Sequence, residues 1–291
     1  MTRDAVVPYS QKRMNAMIRL IATDLDDTLL NEHSDINPRV MEALKAAMAA
    51  GCVIVLSSGR MLEAMLPLAE RIGVNAPMLL FNGALAYDHR TQETIFADRL
   101  PYETALAIVE MCEDMGFYIQ VYPGKNYYCQ KVVAYTRRYA ANIHFNATPV
   151  GKPVSQWMKE HPSDMQKLLL IDTPEGATRA QETLLRAFPH GACFLKSKPY
   201  FLEISPEGVD KGKSLLRLAK HLGLERDEVM AFGDGENDVS MIASAGTGVC
   251  MENGCPGARA AADIIAPSNR EDGVAFVIEE YLEKGLIGRH Q

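Results

Sequence analysis

The chain has 291 residues, 47% hydrophobic and 23% charged, with a formal net charge of −7 and a pI near 5.6. This is the balance of a soluble globular protein with room for two domains. The acidic surplus argues against a nucleic-acid partner, which needs clustered Lys and Arg, and no apolar run reaches the roughly 18–20 residues of a membrane span.

Residues 1–17 carry charges and no apolar stretch, so they read as a loose extension without a secretory signal. Cys52, Cys112, Cys129, Cys193, Cys250 and Cys255 are scattered with no C-x-x-C spacing. That argues against a zinc site or disulfide framework and predicts buried, reduced thiols in a cytoplasmic protein.

From Ile18 onward short apolar runs alternate with stretches of helical period. Strands are predicted at 18–23, 52–56 and 78–81, with helices at 38–50 and 61–72. Asn37 and Pro38 open the first helix and Gly51 closes it. Alternation of this kind implies a parallel sheet with right-handed crossovers.

After Ala84 the rhythm changes. A hairpin is predicted around Asp88-His89-Arg90-Thr91. A helix at 102–115, strands at 117–122 and 127–130, a strand at 166–171, a helix at 174–188 and strands at 192–195 and 201–204 follow. The α/β rhythm resumes with a helix at 211–222, a strand at 229–232 and helices at 238–245 and 273–284. The economical architecture is one α/β core, residues 18–83 and 201–291, with an α+β domain inserted at 84–200.

Two acidic clusters sit where core strands should end: Asp24-Leu25-Asp26-Asp27-Thr28, and Gly233-Asp234-Gly235-Glu236-Asn237-Asp238. In open α/β sheets that edge is where ligands bind. Carboxylates gathered there repel one another unless a cation lies among them, and oxygen donors suit Mg²⁺ or Ca²⁺. On extended chain Asp24 and Asp26 would point the same way, roughly 6–7 Å apart. One could then attack a substrate or hold a metal while the other moves a proton; the plain alternative is an acidic turn. An EF-hand fails, because the sixth position from Asp24 is Leu29 and the twelfth is Asp35.

Ser57-Ser58-Gly59-Arg60 joins a predicted strand to a helix, where a hydroxyl and unpaired amides make an anion site or, more plainly, a turn and N-cap. Lys211 opens a helix, where the macrodipole disfavours a cation. It wants an anionic neighbour, unless it is merely solvated.

Taken together, Asp24-Leu25-Asp26-Asp27-Thr28, Ser58-Gly59-Arg60, Lys211-Gly212 and Gly233-Asp234-Gly235-Glu236-Asn237-Asp238 resemble, in order and placement, the motifs of the haloacid dehalogenase superfamily. The long insert, with Phe81-Asn82-Gly83-Ala84 and Pro199-Tyr200-Phe201-Leu202-Glu203-Ile204, resembles its Cof-type sugar-phosphatase branch. The likeness runs from about Ile18 to Leu282. Asp27 departs from it, since glycine is commoner there.

The resemblance implies a Rossmann-like core carrying a cap domain, and an Mg²⁺-dependent phosphatase of small phosphorylated metabolites, sugar phosphates foremost. By resemblance Asp24 is the nucleophile and Asp26 the acid and base. Mg²⁺ is held by Asp24, the Asp26 carbonyl and Asp234, with Asp238 behind them. Ser58, Gly59, Asn237 and Lys211 surround the phosphoryl oxygens, and Leu25, Arg60, Asn82 and Gly83 complete the binding set. Asn82-Gly83 and the stretch near Ser205-Pro206 are expected hinges. Lys125, Asn126, Tyr127, Lys196 and Lys198 are expected cap contacts. A phosphomutase of the same superfamily and a non-catalytic phosphate-binding regulator are the competing readings.

Overall fold

In the computed structural model, which describes residues 17–288, the first strand β1 (Leu20–Thr23) is buried along its whole length. Helix α1 (Pro38–Ala49), strand β2 (Val53–Leu56), helix α2 (Leu62–Ile72) and strand β3 (Met78–Leu80) follow. Then come β4 (Leu85–Asp88), β5 (Glu93–Ala97), α3 (Tyr102–Asp114), β6 (Ile119–Tyr122), β7 (Tyr128–Cys129), α4 (Ala134–Ile143), β8 (Thr148–Pro149) and α5 (Val154–Glu160). The middle section closes with β9 (Lys167–Ile171), α6 (Pro174–Ala187), β10 (Ala192–Lys198) and β11 (Phe201–Pro206). The last part holds α7 (Lys211–His221), β12 (Val229–Gly233), α8 (Val239–Ser244), β13 (Thr247–Met251), α9 (Pro256–Ala261), β14 (Ile264–Ala266) and α10 (Gly273–Glu283). The extension expected at 1–17 lies, apart from Met17, outside the described residues.

The chain divides into two units. The first comprises the described parts of Met1–Ser58, Ala69–Leu79 and Asp210–Gln291. Its sheet runs β14-β13-β12-β1-β2, and every pairing in it is parallel. Strands buried on both faces need continuous apolar sequence, and LIAT, VIVL and VMAFG supply it. The chain builds β2 on one side of β1, then returns after the insert to place β12 on the other. That reversal creates a crevice at the strand C-termini, the usual ligand position in such sheets.

The second unit comprises Gly59–Leu68 and Leu80–Val209. It contains the β4–β5 hairpin and a six-stranded sheet ordered β10-β11-β9-β6-β7-β8. One face of this sheet carries Ile119, Val121, Leu168, Leu170, Leu202 and Ile204 into an apolar cluster with Ile108, Met158 and Leu184 from α3, α5 and α6. The fold class is thus α/β with a parallel central sheet and a separate α+β sheet, in agreement with the sequence reading. The expected boundaries differ: β11, expected in the core at 201–291, pairs with β9 and β10 and so lies in the second unit, as do 59–68 and 80–83.

Several elements went unread in the sequence. Strands β13 and β14 are short, and TGVCM carries a glycine, which weakens a strand pattern. Helix α5 has only seven residues, and α4 mixes arginine and tyrosine through an otherwise weak apolar stripe. Phe81, expected as the end of a strand, instead takes a left-handed φ of 52°, and Asn82 follows at 57°.

All six cysteines are free; four are buried, and Cys193 and Cys255 are half-buried. No helix among the described residues is long and apolar enough to cross a membrane.

Candidate active site

Strands β1 and β12 lie side by side with Thr23 opposite Phe232, so both acidic clusters emerge at the same sheet edge. The Asp24 N–H donates to the Phe232 carbonyl at 3.0 Å, which fixes where the first carboxylate leaves the sheet. Carboxylate oxygens of Asp24, Asp234 and Asp238 all lie within 4.8 Å of one another.

Lys211, the first residue of α7, is fully buried and completes the cluster. Its Nζ donates to Asp24 Oδ1 and to Asp238 Oδ1, each at 2.6 Å. Burial by itself would push this ammonium down, but Asp238 and Asp24 outweigh it and hold the group above its ordinary value. The unfavourable helix position expected for this lysine is thus offset by two anionic neighbours.

Asp238 is braced on its other side, where Oδ2 accepts from the amides of Asp234 and Gly235 at 3.1 and 2.9 Å. Gly233 makes this possible, because a Cβ there would stand 2.5 Å from the Asp238 Cβ. Thr28 Oγ1 donates to Asp234 Oδ1 at 2.7 Å, joining the two clusters directly.

The extended geometry expected for Asp24 and Asp26 requires correction. The strand ends at Thr23, and Leu25–Leu29 forms a wide turn closed by the Leu30 N–H donating to the Leu25 carbonyl at 2.8 Å. The chain leaves the strand at this turn, so the two-residue alternation of a strand does not carry through to Asp26. The half-buried Asp26 side chain is not one of the three clustered carboxylates.

Asp27 is exposed and sits at φ 66°, in the left-handed region. That explains the glycine usual at this place: the backbone needs φ above zero, which glycine adopts freely and aspartate tolerates better than most residues.

Ser58 is buried just beyond β2, with its N–H donating to Leu79 O at 2.9 Å. Gly59 begins the second unit. There Arg60 is buried, its Nη2 donating to the Asn142 carbonyl at 3.2 Å and its own carbonyl accepting from Phe81 N at 3.1 Å. Asn82 and Gly83 are buried in the turn after β3. Leu25 and Asn237 are buried in the first unit, Asn237 within the Glu236–Asp238 turn.

Of the expected cap contacts, Lys125 and Asn126 are exposed. Lys196 Nζ donates to Thr178 Oγ1 at 3.1 Å, and Lys198 is half-buried. Tyr127 is a correction. It is fully buried, stacked on Tyr122 at 5.1 Å, and its hydroxyl donates to the Phe145 carbonyl at 3.0 Å. It belongs to the interior of the second unit, because the aromatic run around it packs inward.

One lysine does not balance three carboxylates. Burial foremost, then Asp238 and Asp26, push the Asp24 carboxyl up to about 7 against the pull of Lys211. A divalent cation among these oxygens would relieve that excess, so the donor set fits a hard metal ion.

Residues 21–278 match the family described as haloacid dehalogenase-like hydrolases. The chain belongs to that family. It is therefore an enzyme of the haloacid dehalogenase-like hydrolases, as the four motifs implied.

A solved haloacid dehalogenase-like hydrolase from Bacteroides thetaiotaomicron is 30% identical with a TM-score of 0.80, covering 90% of this chain and 99% of its own. TM0651 from Thermotoga maritima is 32% identical with a TM-score of 0.78, over 91% of this chain and 97% of its own. Pyridoxal phosphate phosphatase YbhA from Escherichia coli (strain K12) is 27% identical over 91% of this chain and 98% of its own.

Proposed function

We propose that this hydrolase is a Mg²⁺-dependent phosphatase of small phosphomonoesters, sugar phosphates foremost, acting through an aspartyl phosphate on Asp24. The observation that carries the reading is Lys211, buried and bonded to both Asp24 and Asp238 beside Asp234. A carboxylate held against a fixed cation at a strand end is suited to receive an anionic phosphoryl group. Burial strengthens each of those electrostatic contacts relative to water.

In this reading Asp24 attacks phosphorus and the ester oxygen departs, taking its proton from Asp26. Asp26 then removes a proton from water, whose oxygen attacks phosphorus, releasing orthophosphate and restoring the Asp24 carboxylate. Ser58, the Gly59 amide, Asn237 and Lys211 are assigned to the phosphoryl oxygens, with Leu25, Arg60, Asn82 and Gly83 completing the binding set. Asp24, the Asp26 carbonyl and Asp234 would hold Mg²⁺. When bound, the ion supplies charge neutralisation at the phosphoryl oxygens. Asp238, with both oxygens already engaged, keeps Lys211 in place.

Selection of the leaving group is assigned to the second unit. The naming of YbhA for pyridoxal phosphate supports a small phosphorylated metabolite as the substrate class. Six free cysteines suit a reducing compartment, and the cytoplasm is the one proposed.

The test is phosphate release from a panel of hexose phosphates, pentose phosphates, pyridoxal phosphate and an aryl phosphate, with and without a chelator. Turnover should vanish in chelator and return with Mg²⁺, and Asp24→Asn should neither turn over nor take up label from a ³²P-ester. Full activity in demetallated protein, or near wild-type turnover by Asp24→Asn, would refute the reading.

A further inference from the structure

One face of the six-stranded sheet of the second unit packs into the apolar cluster, and the other carries polar side chains beside Leu169. Gln120, Tyr122, Lys167 and Glu203 alternate with the residues of the apolar cluster and so point the other way, yet all four are buried. A buried ammonium and a buried carboxylate are costly and contribute little to stability unless well placed, so their retention here calls for a role.

Lys167 is 1% exposed, too enclosed to meet a ligand directly. Its Nζ lies 2.9 Å from Glu203 Oε2, donates to the Gly59 carbonyl at 2.7 Å, and sits over the Tyr122 ring 4.7 Å from its centroid. Glu203 is fixed in turn, since its Oε1 accepts from Ser197 Oγ at 2.9 Å.

Two turns converge on this lysine. Tyr122 meets Phe81 edge-on at 6.2 Å, and Phe81 N donates to the Arg60 carbonyl at 3.1 Å. A Cβ on Gly59 would stand 3.1 Å from Asn82 Oδ1 and 3.4 Å from Glu203 Oε1, so glycine is what lets the chain pass this close.

We propose that Lys167, held by Glu203, is a positioning residue for the Ser58-Gly59-Arg60 turn; this rests on the reading of that turn as a phosphate site. The argument is geometric. A trans peptide is planar, so anchoring the Gly59 carbonyl also fixes the Arg60 N–H on the opposite side of the same plane. Glycine has the widest backbone freedom of any residue, and an unanchored peptide here would rotate. Because Glu203 neutralises the ammonium, Lys167 acts by direction and adds no net charge for phosphate.

The test compares Lys167→Met, Glu203→Gln and the double variant, each in the full chain with Mg²⁺. Lys167→Met alone strands the Glu203 charge and is expected to unfold readily. The double variant removes both charges and should fold with a melting temperature close to wild type. It should still bind orthophosphate, read as inhibition, ~10–100-fold more weakly, the loss expected for one hydrogen bond from a charged group. kcat/KM should fall by a similar factor for an aryl phosphate and a sugar phosphate alike, and amide hydrogen exchange across residues 58–60 should accelerate.

A double variant with wild-type orthophosphate inhibition and unchanged exchange at 58–60 overturns the proposal and leaves the pair a purely structural feature of the sheet. Wild-type protein that neither hydrolyses any phosphomonoester nor is inhibited by orthophosphate refutes the phosphatase reading instead. The bracing of the turn is then decided by exchange alone: acceleration in the double variant supports it, and no change overturns it.

Discussion

Lys211 Nζ stands 2.6 Å from Asp24 Oδ1, although 187 residues separate the two in sequence. The contact exists because α7 begins after the insert and feeds β12, the strand that pairs with β1. Removing the ammonium leaves two carboxylates facing each other in a buried site. Lys211→Met is therefore expected to lower turnover by ~10²–10³-fold for every substrate. It should also cost about 3–5 kcal/mol of stability, the usual penalty for breaking a buried pair. Steady-state kinetics with an aryl phosphate and urea unfolding check both halves; a variant of normal stability and turnover would remove Lys211 from the site.

Asp234 and Asp238 should differ in what they lose. Asp238 already accepts from Lys211 and two amides, so Asp238→Asn should depress turnover and melting temperature with a small change in Mg²⁺ requirement. Asp234→Asn should raise the Mg²⁺ concentration for half-maximal activity at least about tenfold, as expected for loss of a charged oxygen donor. Mg²⁺ titration of activity for each variant is the measurement. Reversed outcomes would exchange the two roles.

Asp27 at φ 66° gives a stability test independent of catalysis. Asp27→Ala should destabilise by ~1 kcal/mol, since a side chain in the left-handed region costs that order of energy without a local polar partner. Asp27→Gly should be neutral or slightly stabilising in the same urea titration. Equal stability of the two variants would show that the backbone there is unstrained.

Burial of Tyr127 predicts a structural phenotype. Tyr127→Ala should cost ~3–5 kcal/mol, as large-to-small changes of buried aromatics do. Tyr127→Phe loses only the hydroxyl bond to the Phe145 carbonyl and should cost ~1 kcal/mol. KM for sugar phosphates should stay unchanged in Tyr127→Phe. A substrate-selective rise in KM at unchanged stability would return Tyr127 to the expected cap contacts.

The β4–β5 hairpin carries a pH-dependent contribution. Arg90 holds the buried Asp88 carboxyl below the usual carboxylate value, with Nε and Nη2 at 2.9 and 2.5 Å from its oxygens. A depressed folded value means stabilisation that is complete above the unfolded pKa near 3.8 and lost as pH falls through the folded one. Asp88→Asn should therefore melt lower than wild type at neutral pH, and the gap should close in strong acid. A gap independent of pH would assign the effect to packing.

By itself the sequence determined the parts that local pattern can carry. Ile18–Thr23 and Val229–Phe232 are apolar runs that end in acid, Lys211 opens a helix on a residue the dipole disfavours, and the rhythm change after Ala84 marks the insert. Each of these depends on neighbours within a few residues. Only the tertiary structure decided which strand ends meet. Pairing of β1 with β12 brings Asp24 to Asp234, Asp238 and Lys211, and no local preference encodes a contact across so much chain. The same limit hid Lys167: as one lysine at the start of a strand it looks solvated, and it becomes a buried donor to Gly59 only when the β6, β9 and β11 strands assemble around it. It also hid the burial of Tyr127 and the left-handed torsion of Asp27, because enclosure and backbone sign are imposed by packing around a residue and not by the residue itself.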